Sequence, residues 1–159
     1  MIETDILVLG SGVAGLSFAL KASAYGLVSV VTKKEKAESN TNYAQGGIAC
    51  VLCETDSLQS HVNDTLRAGD GLCDEEVVRQ IVKEGPDRVR ELVELGVRFS
   101  RAKDGSFHFG REGGHSHRRV IHAEDLTGRA VEAGLLQAVA NKSNITIHEN
   151  QIAVNLVVS

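Results

Sequence analysis

Apolar runs and one amphipathic stretch alternate along the first thirty residues of the chain. Residues 5–9 form an apolar run that predicts a buried strand, and residues 28–32 form a second one. Between them, residues 13–24 place small and apolar side chains at helical spacing, and Gly26 is a typical helix stop. The pattern predicts a complete βαβ unit, which is the start of an α/β, Rossmann-like fold with a parallel sheet.

Further along the chain, the pattern predicts three amphipathic helices. Two of them lie over residues 57–68 and 74–83, the second with Asp74 as its N-cap. Pro86 suits the first turn of a third helix, which is predicted to stop at Gly96. We interpret these helices as scaffold.

The last part of the chain combines one helix with two apolar runs. Asp125 is predicted to cap a helix that continues to about Asn141. Residues 145–148 and 152–158 are predicted to close the fold as a pair of strands. Because the chain stops within an apolar run, we expect it to be a piece of a longer protein.

Three glycines follow the first predicted strand at the spacing of the dinucleotide-binding fingerprint: Gly10, Gly12 and Gly15. In that fingerprint the glycines allow a tight turn, close approach of the backbone to a pyrophosphate, and close packing of helix on strand. The free amides and the positive dipole end of the helix that begins at Val13 would meet a diphosphate. The alternative is a glycine-rich turn without a ligand, but the strand before it and the helix after it favour a dinucleotide.

The second predicted strand ends without the acidic residue that commonly binds the ribose of NAD. Thr32 and Lys33 stand where an acid is expected, about 20 residues after the glycines, and Glu35 is less well placed. The Thr32 hydroxyl or backbone groups at Lys33 could meet a ribose hydroxyl instead. An ordinary NAD site is therefore disfavoured.

Residues 33–47 form a long polar loop. Loops of this length inside a compact domain are usually functional or disordered. The hydrogen-bonding side chains are Asn40, Thr41, Asn42, Tyr43 and Gln45, while Gly46 and Gly47 allow the backbone to approach a flat or charged ligand. The alternative interpretation is a solvated surface loop.

A second concentration of polar side chains lies between Phe107 and Arg129. Four histidines and four charged residues surround the pair Gly113 and Gly114: His108, His115, His117, His122, Arg111, Glu112, Arg118 and Arg119. The segment has neither an H-x-x-x-H on a helix nor a supporting cysteine pair, which disfavours zinc. A cationic loop with glycine hinges favours an anionic ligand, since guanidinium groups bind carboxylates in bidentate fashion. The alternative is again a solvated surface loop.

Composition and charge narrow the class of protein. With 159 residues, of which 42% are hydrophobic, the chain is long enough for one domain with a core. Its net charge of −4 predicts no global attraction to nucleic acid or to an anionic membrane, and no apolar run approaches the length of a membrane span. We therefore expect neither a nucleic-acid nor a membrane partner.

The three cysteines, Cys50, Cys53 and Cys73, occur without a secretory signal, which favours reduced thiols and a cytoplasmic location. Cys50 and Cys53 form a C-x-x-C. Because this pair follows an apolar run and no second pair is present, chance spacing is favoured over a metal or redox site.

Four stretches of the chain together carry a family resemblance: "GSGVAG", "NTNYAQGGIA", "ETDSLQSHVNDTLRAGDGLCD" and "REGGHSHRRVIHAEDLTGR". They resemble the L-aspartate oxidase branch of the succinate dehydrogenase and fumarate reductase flavoprotein superfamily. The resemblance covers essentially all 159 residues, and "YAQGG" together with "REGGHSHRR" is similar to this branch rather than to the superfamily at large.

The resemblance implies FAD as a noncovalent cofactor and the oxidation of L-aspartate to iminoaspartate by hydride transfer to flavin N5. Respiratory relatives carry a histidine that binds the flavin covalently, and Asn40 stands at its position and cannot form that bond. Iminoaspartate would then condense with dihydroxyacetone phosphate in a partner quinolinate synthase, on the route to NAD. The electron acceptor would be oxygen or fumarate.

The resemblance also assigns roles to individual residues. It implies that Ser11, Gly12, Val13 and Ala14 meet the pyrophosphate, that Lys33 lies near the adenosine ribose, and that the backbone of Ile152 and Ala153 contacts the adenine end. The flavin would be lined by Asn40, Thr41, Asn42, Tyr43, Ala44, Gln45, Gly46 and Gly47. Glu112 matches a glutamate that orients the substrate ammonium group, which distinguishes aspartate from succinate.

The resemblance further implies that residues 1–159 are the N-terminal part of an FAD-binding domain. A capping domain and a C-terminal helical domain, which complete the substrate site in the family, are absent, so we expect the chain alone to be inactive. Two other interpretations stay open, namely a fumarate reductase or succinate dehydrogenase flavoprotein and a nucleotide-binding module without chemistry of its own.

Overall fold

The computed structural model describes residues 2–123 and 126–158. In chain order, the elements are β1 (Ile6–Leu9), α1 (Val13–Ala22), β2 (Val28–Val31), α2 (Asn40–Tyr43), β3 (Ile48–Ala49), α3 (Leu58–Ala68), α4 (Glu75–Glu94), β4 (Phe109–Gly110), β5 (Val120–Ile121), α5 (Thr127–Ala140) and β6 (Ile145–His148). They divide into two compact units: unit 1 comprises Met1–Ala44, Leu95–Val97 and Gly128–Ser159, and unit 2 comprises Gln45–Glu94 and Arg98–Thr127.

Unit 1 is built on a parallel sheet with the strand order β1-β2-β6. Ile6 pairs with Val28, and Val28 pairs in turn with Ile145 on the other side. The central strand β2 is buried along most of its length, and α1 buries Leu16 and Ala19 completely. The α/β fold with a parallel sheet and the βαβ unit predicted from the sequence are both confirmed.

Helix α1 ends at Ala22, two residues before the predicted end. Gly26, which follows the helix, lies in close contact with Asp5. The Ser23 amide still bonds to the Ala19 carbonyl at 2.9 Å, which completes the last turn. A Cβ atom on Gly26 would overlap the Asp5 side chain, whose carboxylate accepts a hydrogen bond from the Leu27 amide at 2.7 Å. Gly26 is therefore required by the approach of the chain to Asp5 as it enters β2.

The prediction that residues 145–148 and 152–158 pair as strands is wrong. β6 pairs with β2 in parallel, and residues 152–158 lie outside any strand and are exposed. After β6, Asn150 adopts a left-handed conformation with φ of 57°, and its amide bonds to the Lys34 carbonyl. The Gln151 amide then bonds to the Thr32 carbonyl at 3.0 Å, so the chain crosses the end of β2 instead of turning back along β6. The predicted helix cap Asp125 lies outside the described residues.

Unit 2 contains an antiparallel sheet with the order β3-β5-β4, together with α3 and α4. The predicted cap at Asp74 is confirmed, because its side chain accepts a hydrogen bond from the Glu76 amide at 3.0 Å. The helix predicted over residues 57–68 begins one residue later, at Leu58, and Ser57 caps it by accepting a hydrogen bond from the Ser60 amide at 3.1 Å. Both side chains satisfy amides that have no partner within the helix.

The two helices predicted over residues 74–95 are one helix, α4, with Pro86 in its interior. Proline removes one backbone hydrogen bond and favours a break. Val82 and Val89, one on each side of the proline, are both buried, so burial of this face continues through it. Gly96, with φ of 96°, follows the end of the helix as predicted.

No helix among the described residues is long and apolar enough to cross a membrane.

Candidate functional site

The turn between β1 and α1 uses two of its glycines for backbone geometry. Gly10 has φ of 104°, a conformation that side chains strongly disfavour, and its amide donates to the Val31 carbonyl at 2.8 Å. A Cβ atom on Gly15 would overlap the Gly10 carbonyl. The first glycine therefore makes the turn, and the third allows the helix to pack directly against it, as the fingerprint requires.

Gly12 is the N-cap of α1 and leaves the helix without a side-chain cap of its own. Thr41 supplies the missing group, because its hydroxyl accepts a hydrogen bond from the Val13 amide at 3.0 Å. A Cβ atom on Gly12 would lie 3.2 Å from the same hydroxyl oxygen. Thr41, from the polar loop, and Gly12, from the turn, thus form one closely packed corner at the positive end of the helix.

A cavity of about 390 Å³ opens over this corner. Eight predicted cofactor-binding residues lie in its wall: Gly10, Ser11, Gly12, Lys33, Asn40, Thr41, Ile152 and Ala153. The volume falls within the range of small-ligand sites, and the cavity lies at the carboxyl ends of parallel strands, where such sites are common. The residues present therefore fit a nucleotide with a diphosphate at the helix N-terminus.

Thr32 and Lys33, just after β2, both line this cavity, but only Lys33 has an exposed side chain. Thr32 is buried, and its hydroxyl accepts a hydrogen bond from the buried Ser11 hydroxyl at 3.1 Å. Lys33 is exposed. The Ser11 side chain is therefore used within the protein, which leaves its backbone as the part that can face a phosphate.

Glu38 and Ser39 also lie in the cavity wall and were not singled out by the sequence. Glu38 accepts hydrogen bonds from the Tyr43 hydroxyl at 2.6 Å and from Lys34 at 3.2 Å, and these bonds hold its pKa below the usual value. Ser39 caps α2 by accepting a bond from the Asn42 amide. The acidic residue in the cavity wall is thus Glu38. The sequence had suggested Glu35 as the acid that could bind the ribose.

The other predicted cofactor-binding residues lie outside the cavity wall. Val13, Ala14 and Gly15 belong to α1, Asn42 and Tyr43 to α2, and Ala44 follows α2 within unit 1. Gln45, Gly46 and Gly47 belong to unit 2, where a Cβ atom on Gly47 would overlap the Ile121 carbonyl.

Glu112, the predicted substrate-orienting residue, lies in unit 2, where it begins a turn within the loop 111–119 that connects β4 and β5. Its side chain is exposed, and its carbonyl accepts a bond from the His115 amide at 3.3 Å. Arg111 donates from Nε to the His115 carbonyl at 3.0 Å, and Gly114 supplies a φ of 84°. The turn is therefore closed by its own backbone, with Glu112 facing outward.

Arg119, in contrast, is withdrawn from any ligand. Its side chain is fully buried and forms a bidentate pair with Asp56, with N–O distances of 2.7 and 2.8 Å. A third bond, 2.7 Å long, runs from Nη1 to Asp64 Oδ2. The prediction that the cationic loop binds an anionic ligand therefore does not apply to Arg119, because two buried aspartates already neutralise it.

The electrostatics of this buried cluster keep both aspartates ionised. Burial raises the pKa of Asp64, but hydrogen bonds from the Ser116 amide and hydroxyl and from Arg119 outweigh burial and bring the pKa well below its usual range. Burial also raises the pKa of Asp56, but the hydrogen bonds from Arg119 and from the Ser57 amide outweigh burial, so the pKa is lower than usual. Charged hydrogen bonds of this kind are the strong ones in proteins.

The histidines of the loop contact one another and the buried cluster. His108 Nδ1 and His122 Nε2 are 2.9 Å apart, and the His115 ring packs edge-on against His61 with centroids 5.6 Å apart. Within residues 2–123 and 126–158, no group of three or more His, Cys, Asp or Glu side chains could hold a metal ion.

All three cysteines are free thiols. Cys50 is buried, and this burial raises the pKa of its thiol to about 11. Cys53 is half-buried.

The parallel sheet, the glycine turn at a helix N-terminus and the cavity above them define a dinucleotide-binding protein of the α/β class. The chain belongs to the FAD binding domain family, whose model matches residues 5–159, and FAD is its cofactor.

Two relatives illustrate the similarity in sequence. The chain is 54% identical over 152 residues to a chloroplastic L-aspartate oxidase of Oryza sativa subsp. japonica, which covers 96% of this chain and 24% of the rice protein. It is 47% identical over 160 residues to an L-aspartate oxidase of Vibrio cholerae, covering 98% and 30% of the two chains. The chain thus spans 24% to 30% of the length of these relatives, and the resemblance expected from the motifs is confirmed.

Solved structures agree on the fold. A mutant FrdA of the E. coli quinol fumarate reductase superposes with a TM-score of 0.87 at 31% identity, covering 94% of this chain and 26% of that one. The Mycobacterium smegmatis Sdh1 complex gives a TM-score of 0.84 at 31% identity, with 92% and 27% covered.

Proposed function

We propose that this chain is the N-terminal part of the FAD-binding domain of an enzyme that oxidises L-aspartate to iminoaspartate. The observation that carries the proposal is the corner formed by Gly10, Gly12 and Thr41 at the N-terminus of α1, over which a cavity of nucleotide size opens. The identity of about 50% to named L-aspartate oxidases supports the choice of substrate.

The residues in the cavity wall have separate tasks toward FAD. The backbone of Ser11 and Gly12, in the cavity wall at the positive end of α1, would bind the diphosphate, and Thr41 holds the Val13 amide beside it. Lys33, exposed at the end of β2, would lie near the adenosine ribose, and the backbone of Ile152 and Ala153 near the adenine. Bound FAD supplies the acceptor for the two electrons that leave the substrate.

Glu112 would distinguish aspartate from succinate. Aspartate carries an ammonium group beside its two carboxylates, and an outward-facing carboxylate on a closed turn favours that group by charge. The capping and C-terminal domains of longer relatives would supply the remaining substrate contacts, so this chain would be inactive alone.

FAD would be bound without a covalent link. Asn40 lies in the cavity wall at the position that carries the flavin-binding histidine in respiratory relatives, and an amide side chain cannot form that bond.

In the pathway, iminoaspartate would pass to a quinolinate synthase on the route to NAD, with oxygen or fumarate as electron acceptor. Three free thiols favour a reducing compartment such as the cytoplasm, whereas the plant relatives are named as chloroplastic.

A hybrid protein tests this proposal. The chain would replace the matching region of the Vibrio cholerae relative, and aspartate oxidation would be measured with oxygen and with fumarate as acceptors. In the hybrid, Glu112→Gln should lower the activity with aspartate about tenfold to a hundredfold, the effect of losing a hydrogen bond to a charged partner. Fumarate should inhibit the variant at least as well as the parent, because a like charge has been removed. Equal weakening of both ligands would assign Glu112 a structural role only.

The same assay separates a second candidate. The structural match to fumarate reductase favours a fumarate reductase or succinate dehydrogenase activity, and Asn40 and Glu112 speak against it. Turnover of succinate without turnover of aspartate would select this alternative.

A further inference from the structure

The turn that carries Glu112 is exposed, yet one of its amides is bonded to a buried carboxylate. Ser116 donates to Asp64 Oδ2 twice, from its backbone amide and from its hydroxyl, both at 2.7 Å. Asp64 lies on α3, 52 residues away in sequence, and is only 3% exposed. The bond therefore ties the exposed turn to the interior of unit 2.

Arg119 holds Asp64 in place for this contact. A guanidinium has five N–H donors on three nitrogens. All three nitrogens of Arg119 donate hydrogen bonds, and the acceptors are Asp56, Asp64, Ser60 and the ring nitrogen of His115. Arg119 Nη1 donates to the same Asp64 oxygen that binds Ser116. The Asp64 carboxylate is thereby held by Arg119 while it accepts the hydrogen bonds from Ser116 of the turn.

The two aspartates that neutralise Arg119 differ in what else they bind. Asp56 takes the bidentate side of the guanidinium, and it also contacts the His117 side chain, whose Nδ1 lies 3.5 Å away. Asp64 takes one guanidinium nitrogen and the backbone amide of the loop. Asp56 is therefore a matched control for Asp64, since both pair with Arg119 and only one bonds to the turn backbone.

We propose that Asp64 is a positioning residue for Glu112, fixing through the Ser116 amide the turn on which the Glu112 carboxylate is displayed. The connection is short: the His115 amide bonds to the Glu112 carbonyl, and Arg111 closes the turn at the His115 carbonyl. Fixing Ser116 thus restricts the whole turn and lowers the cost of ordering it when a ligand binds. The functional part of this proposal rests on the assignment of Glu112 made above.

Arg119 also fixes the state of His115. Arginine has no acceptor, so the Arg119 contact at 3.3 Å requires His115 Nδ1 to accept, which places the proton of the neutral ring on Nε2. This tautomer is a spectroscopic signature of an intact cluster that is independent of flavin and of substrate.

Residue-resolved amide exchange on the 159-residue chain tests the positioning role. The comparison uses Asp64→Asn and Asp56→Asn, each of which removes one charge opposite Arg119. In Asp64→Asn, exchange at the His115 and Ser116 amides should rise roughly tenfold to a hundredfold beyond the change seen across the rest of unit 2, as expected for a lost bond to a charged acceptor. In Asp56→Asn, these two amides should follow the rest of the unit. Equal effects of the two substitutions, or no selective effect of Asp64→Asn, would overturn the proposal.

A measurement on the unsubstituted chain covers the case in which a variant fails to fold. In the parent, exchange at the Ser116 amide should be as slow as at the hydrogen-bonded amides inside α3, because its acceptor is buried. Exchange as fast as that of an exposed loop amide without a hydrogen bond would overturn the proposal. Because neither experiment uses FAD or aspartate, failure here leaves the proposed enzymatic activity untouched, and failure of the hybrid enzyme leaves the Asp64 contact untouched.

Discussion

At the scale of single residues, Glu132 on α5 is a buried acid without a neutralising partner among the described residues. It is 1% exposed, and neither carboxylate oxygen is in hydrogen-bond geometry with a donor in the described part of the chain. Burial raises its pKa more than the nearby Ser39 hydroxyl lowers it. The folded protein therefore retains the Glu132 proton at pH values where the unfolded chain has lost it.

This leads to a prediction with a defined sign. Because the folded pKa is raised, the stability of the parent falls as pH rises from the ordinary glutamate value through the folded value. Glu132→Gln cannot ionise, so the free energy of unfolding should exceed that of the parent by about 1–3 kcal/mol at pH 8 and by much less at pH 4. Urea unfolding at both pH values measures the difference, with the exposed Glu3→Gln as control. A difference that does not grow with pH would contradict this account.

A second residue-scale prediction concerns Cys50. With a pKa of about 11, its thiol is ionised to about one part in a thousand at pH 8, and it is buried as well. Iodoacetamide should therefore modify Cys53 and Cys73 at least tenfold faster than Cys50, as followed by peptide mass spectrometry. In concentrated urea the three rates should converge, and comparable rates in the native chain would show that the interior position of Cys50 is wrong.

At the scale of elements, Pro86 lies inside α4, whereas the sequence pattern predicted that a separate helix begins there. We expect Pro86→Ala to raise the free energy of unfolding by about 1–2 kcal/mol, since the helix penalty of proline exceeds the entropy that proline removes from the unfolded chain. Gly85→Ala is the control, because its new Cβ would make an ordinary contact 3.5 Å from Cys50 Sγ. A loss of stability in Pro86→Ala would mean that packing requires the proline.

The elements also show what local patterning can predict. β1, α1, β2 and the cap at Asp74 follow from spacing and cap chemistry, which act within a few residues. The break at Pro86 and the pairing of β6 were predicted wrongly because burial of Val82 and Val89 and the bonds of Asn150 and Gln151 to distant carbonyls decide them. The sequence likewise identified the glycine turn, but it could not reveal that Asp56 and Asp64 neutralise Arg119 from more than fifty residues away.

At the scale of the whole molecule, this ion cluster should control acid stability. The pKa values of Asp56 and Asp64 are lowered, so the stability they contribute is present above the ordinary aspartate value near 4 and is lost as pH falls below it. Asp64→Asn should cost about 3–5 kcal/mol at pH 7, the effect of leaving Arg119 with an unpaired nitrogen, and less at pH 3. Urea unfolding of parent and variant at the two pH values tests this. A cost that is independent of pH would argue against an ionised Asp64.

The way in which FAD is retained gives a further expectation at this scale. With Asn40 in place of a linking histidine, FAD loaded onto the protein should appear in the supernatant after acid precipitation. Flavin fluorescence that stays with the precipitated polypeptide would show that the cofactor is covalently attached.

The most direct test of the account is an equilibrium titration with FAD, comparing the unsubstituted protein with Gly12→Val. The valine side chain would fill the corner beside Thr41 through which a diphosphate reaches the helix amides, and its Cβ would already lie 3.2 Å from the Thr41 hydroxyl. Phe18→Val, an exposed change on the same helix, serves as control. The account predicts that Gly12→Val abolishes FAD binding while its circular dichroism spectrum stays like that of the parent, and that Phe18→Val binds normally. FAD binding of normal affinity by a folded Gly12→Val protein would contradict it.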